Sequence, residues 1–183
     1  MNKEGHVLNA MLLGLGLGII LSLDPEGLAA LSAPTSEAAL AQAQAIVVSV
    51  VELTVPVTLG ALFPDVDTAF GTHRKTLHNL PVLALFVAFP FVFGNLQFVW
   101  IGIATHYLLD AVGSKRGIAL YYPFSRQEYG LPTGVATSSK WANPLTVAIS
   151  VGELIALGAV HYMVVPLDTG VTQAIQTAAT LAL

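Results

Sequence analysis

The sequence predicts an all-α, polytopic helical membrane protein with about five transmembrane helices, N-in and C-out, and three observations carry that prediction. Hydrophobic residues make up 55% of the 183-residue chain and charged residues 10%, against roughly 25% charged in an ordinary soluble domain. A chain of that composition cannot cover a water-facing surface. Mean hydropathy is +0.73, and the apolar residues gather into runs approaching the roughly 20 residues a spanning helix needs. Lys3, Arg74, Lys75, Lys115, Arg116, Arg126 and Lys140 all fall on one side of a five-span arrangement, as the preference of basic residues for cytoplasmic loops requires.

The elements follow in order. A first apolar stretch runs from Val7 to Leu23 and stops at Asp24-Pro25-Glu26-Gly27. Residues 24–42 read as a small-residue linker, acidic at Asp24, Glu26 and Glu37. The second span is expected from Ala43 to Phe63, interrupted by Glu52 and Pro56 and closed by Pro64. From Pro81 to Val112 the chain is apolar for too long to be one ordinary helix, and Gly94-Asn95 is the natural break into a hairpin of two spans. The last span is expected from Pro144 to Pro166. Two polar loops, 64–79 and 113–143, then share the cytoplasmic side of a single transmembrane domain covering 1–183. The first span is read as retained: Ala39-Leu40-Ala41 has the small-residue spacing of a signal-peptidase site but lies well beyond the apolar core, where such sites normally follow within a few residues.

Zero cysteines exclude disulfides and thiolate metal sites, so a metal must be held by His and carboxylate. The net charge of −4 says little about partners, because in a membrane protein the placement of charge matters more than its sum. Membrane lipids are the expected surroundings, at the cell membrane, and no nucleic-acid partner is expected.

Four of the five histidines fall at the cytoplasmic surface of this arrangement. His6 opens the first span, His73 and His78 lie in the first inner loop, and His106 lies near the inner end of the fourth span. Asp110 follows His106 by four residues, so both side chains leave one helix face. Asp65 and Asp67 follow Pro64, where a helix has just ended and both carboxylates are free to converge. The candidate metal ligands are therefore His6, Asp65, Asp67, His73, His78, His106 and Asp110. Seven exceed the three protein ligands and one water of a catalytic zinc, so some stand behind the ligands or hold a further ion. His6 and His73 suit such an outer role, and helix capping is the competing reading of Asp65. One or two divalent ions are expected: zinc first, with manganese or iron also suited to mixed His and carboxylate ligation.

A pair of ions suits phosphoester cleavage, in which the attacking and leaving oxygens are both stabilised. The expected reaction is hydrolysis of an ester or phosphoester, either a lipid or a small molecule, by a water that the metal activates. Asp65 or Asp110 would take its proton, and Arg74, beside His73, would neutralise a phosphate or developing oxyanion. Two readings from other classes stand beside this one. In the first the same cluster serves a metal-ion or proton transporter, with Glu52 and Glu153 forming the path; in the second the metal is structural in a membrane interaction protein. Glu52 and Glu153 otherwise read as buried, protonated or hydrogen-bonded carboxyls facing the bundle interior.

Taken in chain order, the pieces resemble a known family. They are Gly5-His6 before the first span, Gly60-Ala61-Leu62-Phe63-Pro64-Asp65-Val66-Asp67, His73-Arg74 followed by His78, His106 to Asp110, and Gly117-Ile118-Ala119-Leu120 leading to Pro123-Phe124. Their order and spacing resemble the YdjM-type family of membrane-bound metal-dependent hydrolases. The resemblance implies a metal-dependent hydrolase and supplies no substrate. Where that family commonly shows Thr-His-Ser, this chain has Leu77-His78-Asn79, which removes two hydroxyls.

Overall fold

A computed structural model describes residues 3–23, 36–93 and 96–164. They form five α-helices: α1 Lys3–Ser22, α2 Ser36–Leu62, α3 Leu80–Phe93, α4 Val99–Val112 and α5 Ala142–Met163, with a 3-10 helix at Pro64–Ala69 between α2 and α3. There is no strand among the described residues. The protein is a multi-pass, membrane-embedded helical bundle. By length and composition α1, the segment Glu37–Ala69 and α5 can each cross a membrane, whereas α3 and α4 are shorter apolar helices. At 14 residues apiece, α3 and α4 are each about 21 Å long against a hydrocarbon core of about 30 Å. The break at Gly94-Asn95 and the expected end at Pro166 lie outside the described residues.

The largest boundary difference from expectation lies before the second span. The linker expected over 24–42 ends early, because α2 already runs from Ser36. Half of the segment Ser36–Ala43 is alanine, joined by Glu37 and Gln42; all are strong helix formers, but they make no strongly apolar run, so hydropathy does not mark the segment. Farther along α2, Val47, Val51, Val55 and Leu59 form an exposed stripe at four-residue spacing. A stripe of that kind is at home against lipid.

Small residues let the helices meet closely. A Cβ added at Gly14 of α1 would come within 2.5 Å of Thr54 on α2, and one at Gly18 within 2.6 Å of Val50. The α2–α4 crossing is tighter still: a Cβ at Gly60 would stand 2.0 Å from the Val99 carbonyl, and one at Gly102 2.0 Å from the Val57 carbonyl. Such crossings are how membrane helices gain packing without a hydrophobic drive. Ala10, Leu13, Val57 and Ala61 form the core between α1 and α2. Helix α3 buries none of its residues and leans on α4 through Leu83 and Phe86.

The loops 64–79 and 113–143 knit into one cover over a single end of the bundle. The Ala119 amide donates to the Arg74 carbonyl at 2.9 Å, and the Leu80 amide to the Leu120 carbonyl at 2.8 Å. Within the second loop Ile118 and Tyr129 exchange both backbone bonds. Gly117 lies so close that a Cβ there would stand 2.1 Å from the Tyr129 carbonyl oxygen. The Gly-Ile-Ala-Leu string of the sequence is thus the seam joining the two polar loops.

Candidate metal centre

The covered end of the bundle collects all seven predicted ligand residues. The first turns of α1 bring His6, the 3-10 helix brings Asp65 and Asp67, the following loop brings His73 and His78, and α4 brings His106 and Asp110. His6, Asp67, His78, His106 and Asp110 are buried. Asp65 is one-fifth exposed and His73 two-fifths. Two three-residue groups are spaced to hold an ion: His6 with His106 and Asp110, and Asp65 with His73 and His78.

Asp67 sets the orientation of the second group. Its carboxylate accepts from His73 Nδ1 at 3.1 Å, from His78 Nδ1 at 2.9 Å and from the Leu77 amide at 3.3 Å. The oxygen that takes the Leu77 amide also faces His78 Nδ1 and acts there as an acceptor, so the His78 proton sits on Nδ1 and its Nε2 carries a lone pair. His106 is oriented in the same way from another direction, because its Nδ1 donates to the Ala61 carbonyl at 2.6 Å. A carbonyl only accepts, so His106 Nε2 also carries a lone pair. The Gly60–Gly102 crossing places that carbonyl beside α4.

The two Nε2 atoms face each other at 3.0 Å. Two lone pairs at that separation repel unless something positive lies against them. Burial holds His78 below the ordinary histidine range, against the opposing pull of Asp67, so at neutral pH a proton is a poor candidate for that positive charge. Asp65 Oδ1 lies 3.7 Å from His78 Nε2 and 3.6 Å from His106 Nε2, and Asp110 Oδ2 lies 3.9 Å from each. Four ligands at roughly 2.0–2.1 Å from a zinc ion would stand about 3.3–3.4 Å apart along the edges of a tetrahedron. The five measured edges run from 3.0 to 3.9 Å. These buried His and Asp groups are able to bind a metal ion.

The rest of the cluster braces this set. The His6 ring stacks on His106, centroids 3.7 Å apart, and its Nε2 lies 3.4 Å from Asp110 Oδ1. Arg74, expected to face a substrate anion, is turned inward. Its guanidinium donates to Ser114 Oγ at 2.9 Å and to the Arg116 carbonyl at 2.5 Å, and it lies 3.6 Å from Asp110 Oδ1. It holds this position from a left-handed backbone conformation, φ 66°, which costs a non-glycine residue of order 1 kcal/mol and is met most often at functional sites. Asn79 does the capping work available to a serine: its Oδ1 accepts from the Val82 amide at 3.0 Å in the first turn of α3.

A cleft of about 440 Å³ opens beside the cluster, lined by Lys3, Leu62, Asp65, Val66, Thr68 and His73. It reaches the two exposed members of the site and no buried one, and Arg74 does not line it. Glu52, on α2, is not among these residues. Glu153 joins a separate polar group farther along the bundle, described below.

Several participants were not legible as chemistry. The Ala61 carbonyl and the Leu77 amide are backbone atoms, which no residue type advertises. Lys3 counted only among the basic residues that set the orientation. Asn9, Thr105 and Ser150 are isolated polar residues within apolar helices, and nothing in their spacing singled them out.

The family described as YdjM inner membrane protein matches residues 1–179. No curated protein matches the chain, and no solved structure does. With the match extending from the first turn of α1 past the end of α5 and taking in every histidine and aspartate of the cluster, the chain belongs to the YdjM inner membrane protein family.

Proposed function

We propose that the chain holds a divalent metal ion, zinc by first preference, and uses it to hydrolyse an ester or phosphoester at the cytoplasmic membrane surface. The facing Nε2 lone pairs of His78 and His106, 3.0 Å apart, carry this reading, since each is fixed by a hydrogen bond on its other nitrogen as metal-bound histidines are. His78, His106 and Asp110 would be the ligands, which leaves the fourth position, beside Asp65, for a water. Asp67 is the carboxylate behind His78, and Ala61 plays the same part for His106. His6 and Arg74 hold Asp110 in place.

When bound, the metal supplies an activated water and polarises the ester oxygen. Asp65 lines the cleft and would be the group positioned to take a proton from that water; both oxygens of Asp110 are already engaged. Lys3, at the cleft wall, meets an anionic ester oxygen, the part that sequence alone assigned to Arg74. Leu62 and Val66 give the same cleft an apolar side, which favours a lipid or another membrane-adjacent substrate.

The test is metal analysis of protein purified in detergent, joined to a hydrolysis screen over phospholipids and soluble phosphoesters. One divalent ion per chain and turnover of a membrane ester are expected. A stoichiometric metal with no turnover on any substrate would turn the reading toward a structural ion.

A further inference from the structure

Among the described residues, one buried polar group lies outside the metal centre and has partners on three helices. Asn9 of α1 reaches Ser150 Oγ at 2.8 Å and Glu153 Oε2 at 2.7 Å on α5. Thr105 Oγ1 of α4 lies 2.6 Å from Asn9 Oδ1 and also meets Glu153 Oε1. Ser150 Oγ closes the group by bonding the Thr146 carbonyl at 2.9 Å.

Counting hydrogens decides the state of the carboxyl. The group contains five hydrogen bonds. The Asn9 amide brings two hydrogens and the Thr105 and Ser150 hydroxyls one each, four in all. Asn9 Oδ1 can only accept, so the Thr105 hydrogen must point to it, and the contact between Thr105 Oγ1 and Glu153 Oε1 is then left with none. The fifth hydrogen has one place to come from, the Glu153 carboxyl. Turning the Asn9 amide over does not remove the requirement, because its oxygen would then face Glu153 Oε2 with no hydrogen between them. The half-buried position of Glu153 agrees, since an ionised carboxylate at the edge of a membrane bundle is costly.

We propose that Glu153 is a proton-binding site in the membrane interior, and that the closed ring it forms with Asn9 and Thr105 is a positioning device for the metal centre. Asn9 follows His6 by three residues on α1, on the same side of the helix, and Thr105 directly precedes His106 on α4. The ring therefore fixes the register of α1 against α4 one turn from where the His6 ring stacks on His106. It also leaves no free ligand for a metal ion, which removes Glu153 from a metal-ion path. The positioning half of this proposal rests on the metal reading above, whereas the proton-binding half does not.

The experiment compares the wild type with Glu153→Gln and Glu153→Ala, purified in detergent at neutral pH, by infrared difference spectroscopy and by Zn²⁺ titration. Wild type minus Glu153→Gln should show a protonated-carboxyl band. A difference spectrum carrying ionised-carboxylate bands instead would overturn the proton assignment, whether or not zinc binds. Glu153→Gln should fold and keep its zinc affinity, because an amide donates to Thr105 and accepts from Asn9 as the acid does. Glu153→Ala should weaken zinc binding by about 10-fold, toward the low end for loss of an outer partner. A Glu153→Gln variant that fails to fold or loses zinc would contradict the ring, and a Glu153→Ala variant with wild-type zinc affinity would contradict positioning. Absence of zinc binding in the wild type itself would strike the metal reading and leave the infrared result standing.

Discussion

Two polar clusters sit in this bundle, and the contrast between them identifies the site. The ring of Asn9, Thr105, Ser150 and Glu153 is complete: with one proton on Glu153, each of its five hydrogen bonds has a hydrogen. The cluster of His78, His106, Asp65 and Asp110 is incomplete, with two ring nitrogens facing each other across 3.0 Å and both their hydrogens committed elsewhere. Buried polar groups are ordinarily satisfied. A group that is satisfied by itself holds helices together, and a group that needs a cation to be satisfied is built to receive one.

The largest effect that would break this contrast is removal of an acceptor from the incomplete cluster. His106→Ala or Asp110→Asn should abolish hydrolysis and lower metal affinity by about 100-fold, near the upper end for ligand-sphere losses, while thermal unfolding in detergent still shows a folded bundle. Asp67→Asn should come next, lowering metal affinity by about 10- to 100-fold, since an amide is uncharged and has one acceptor oxygen where the carboxylate offers two. Zinc titration of the two classes of variant, side by side, measures the order.

Acid should separate the clusters more gently. Burial depresses His78 in the folded protein, so the unfolded chain takes up its proton first, at about pH 6.5. Stability without metal is then fully present above that value and declines as pH falls below it toward the folded value, and metal occupancy should decline over the same window. Thermal melts from pH 8 to pH 5, with and without chelator, test the sign; stability rising on acidification through that range would contradict it. Glu52→Gln should leave metal stoichiometry unchanged, because Glu52 lies on α2 away from the cluster, and loss of metal in a folded variant would bring it into the site. The smallest effect belongs to the surface trio of Lys75, Arg116 and Glu128, which joins the two loops. With Arg116 about two-thirds exposed, Glu128→Gln should cost less than about 1 kcal/mol.

Much of the incomplete cluster was legible in the sequence, and little of the complete one. His106 and Asp110 announce themselves by a four-residue spacing, and Asp65 and Asp67 by their place after Pro64. The histidines stand out because polar titratable residues are rare in so apolar a chain. The ring, by contrast, is assembled from contacts between residues 48 to 144 positions apart, with no local spacing to betray them. Only Glu153 was conspicuous, through its charge. The fold followed the same division: helix cores were visible as apolar runs, but the first turns of α2 were hidden because their alanine, glutamate and glutamine favour a helix without making a strongly apolar run. Arg74 shows the limit from the other side, since its neighbour His73 suggested a substrate role while a left-handed backbone turns the side chain inward to Asp110.

The central claim, that His78 and His106 face each other to share a divalent ion, is tested most directly by counting metal. Protein purified without added chelator should carry one divalent ion per chain by mass spectrometry, and His78→Ala, prepared identically and shown to be folded, should carry none. Wild-type protein that is folded, metal-free and unable to take up Zn²⁺ would contradict the account.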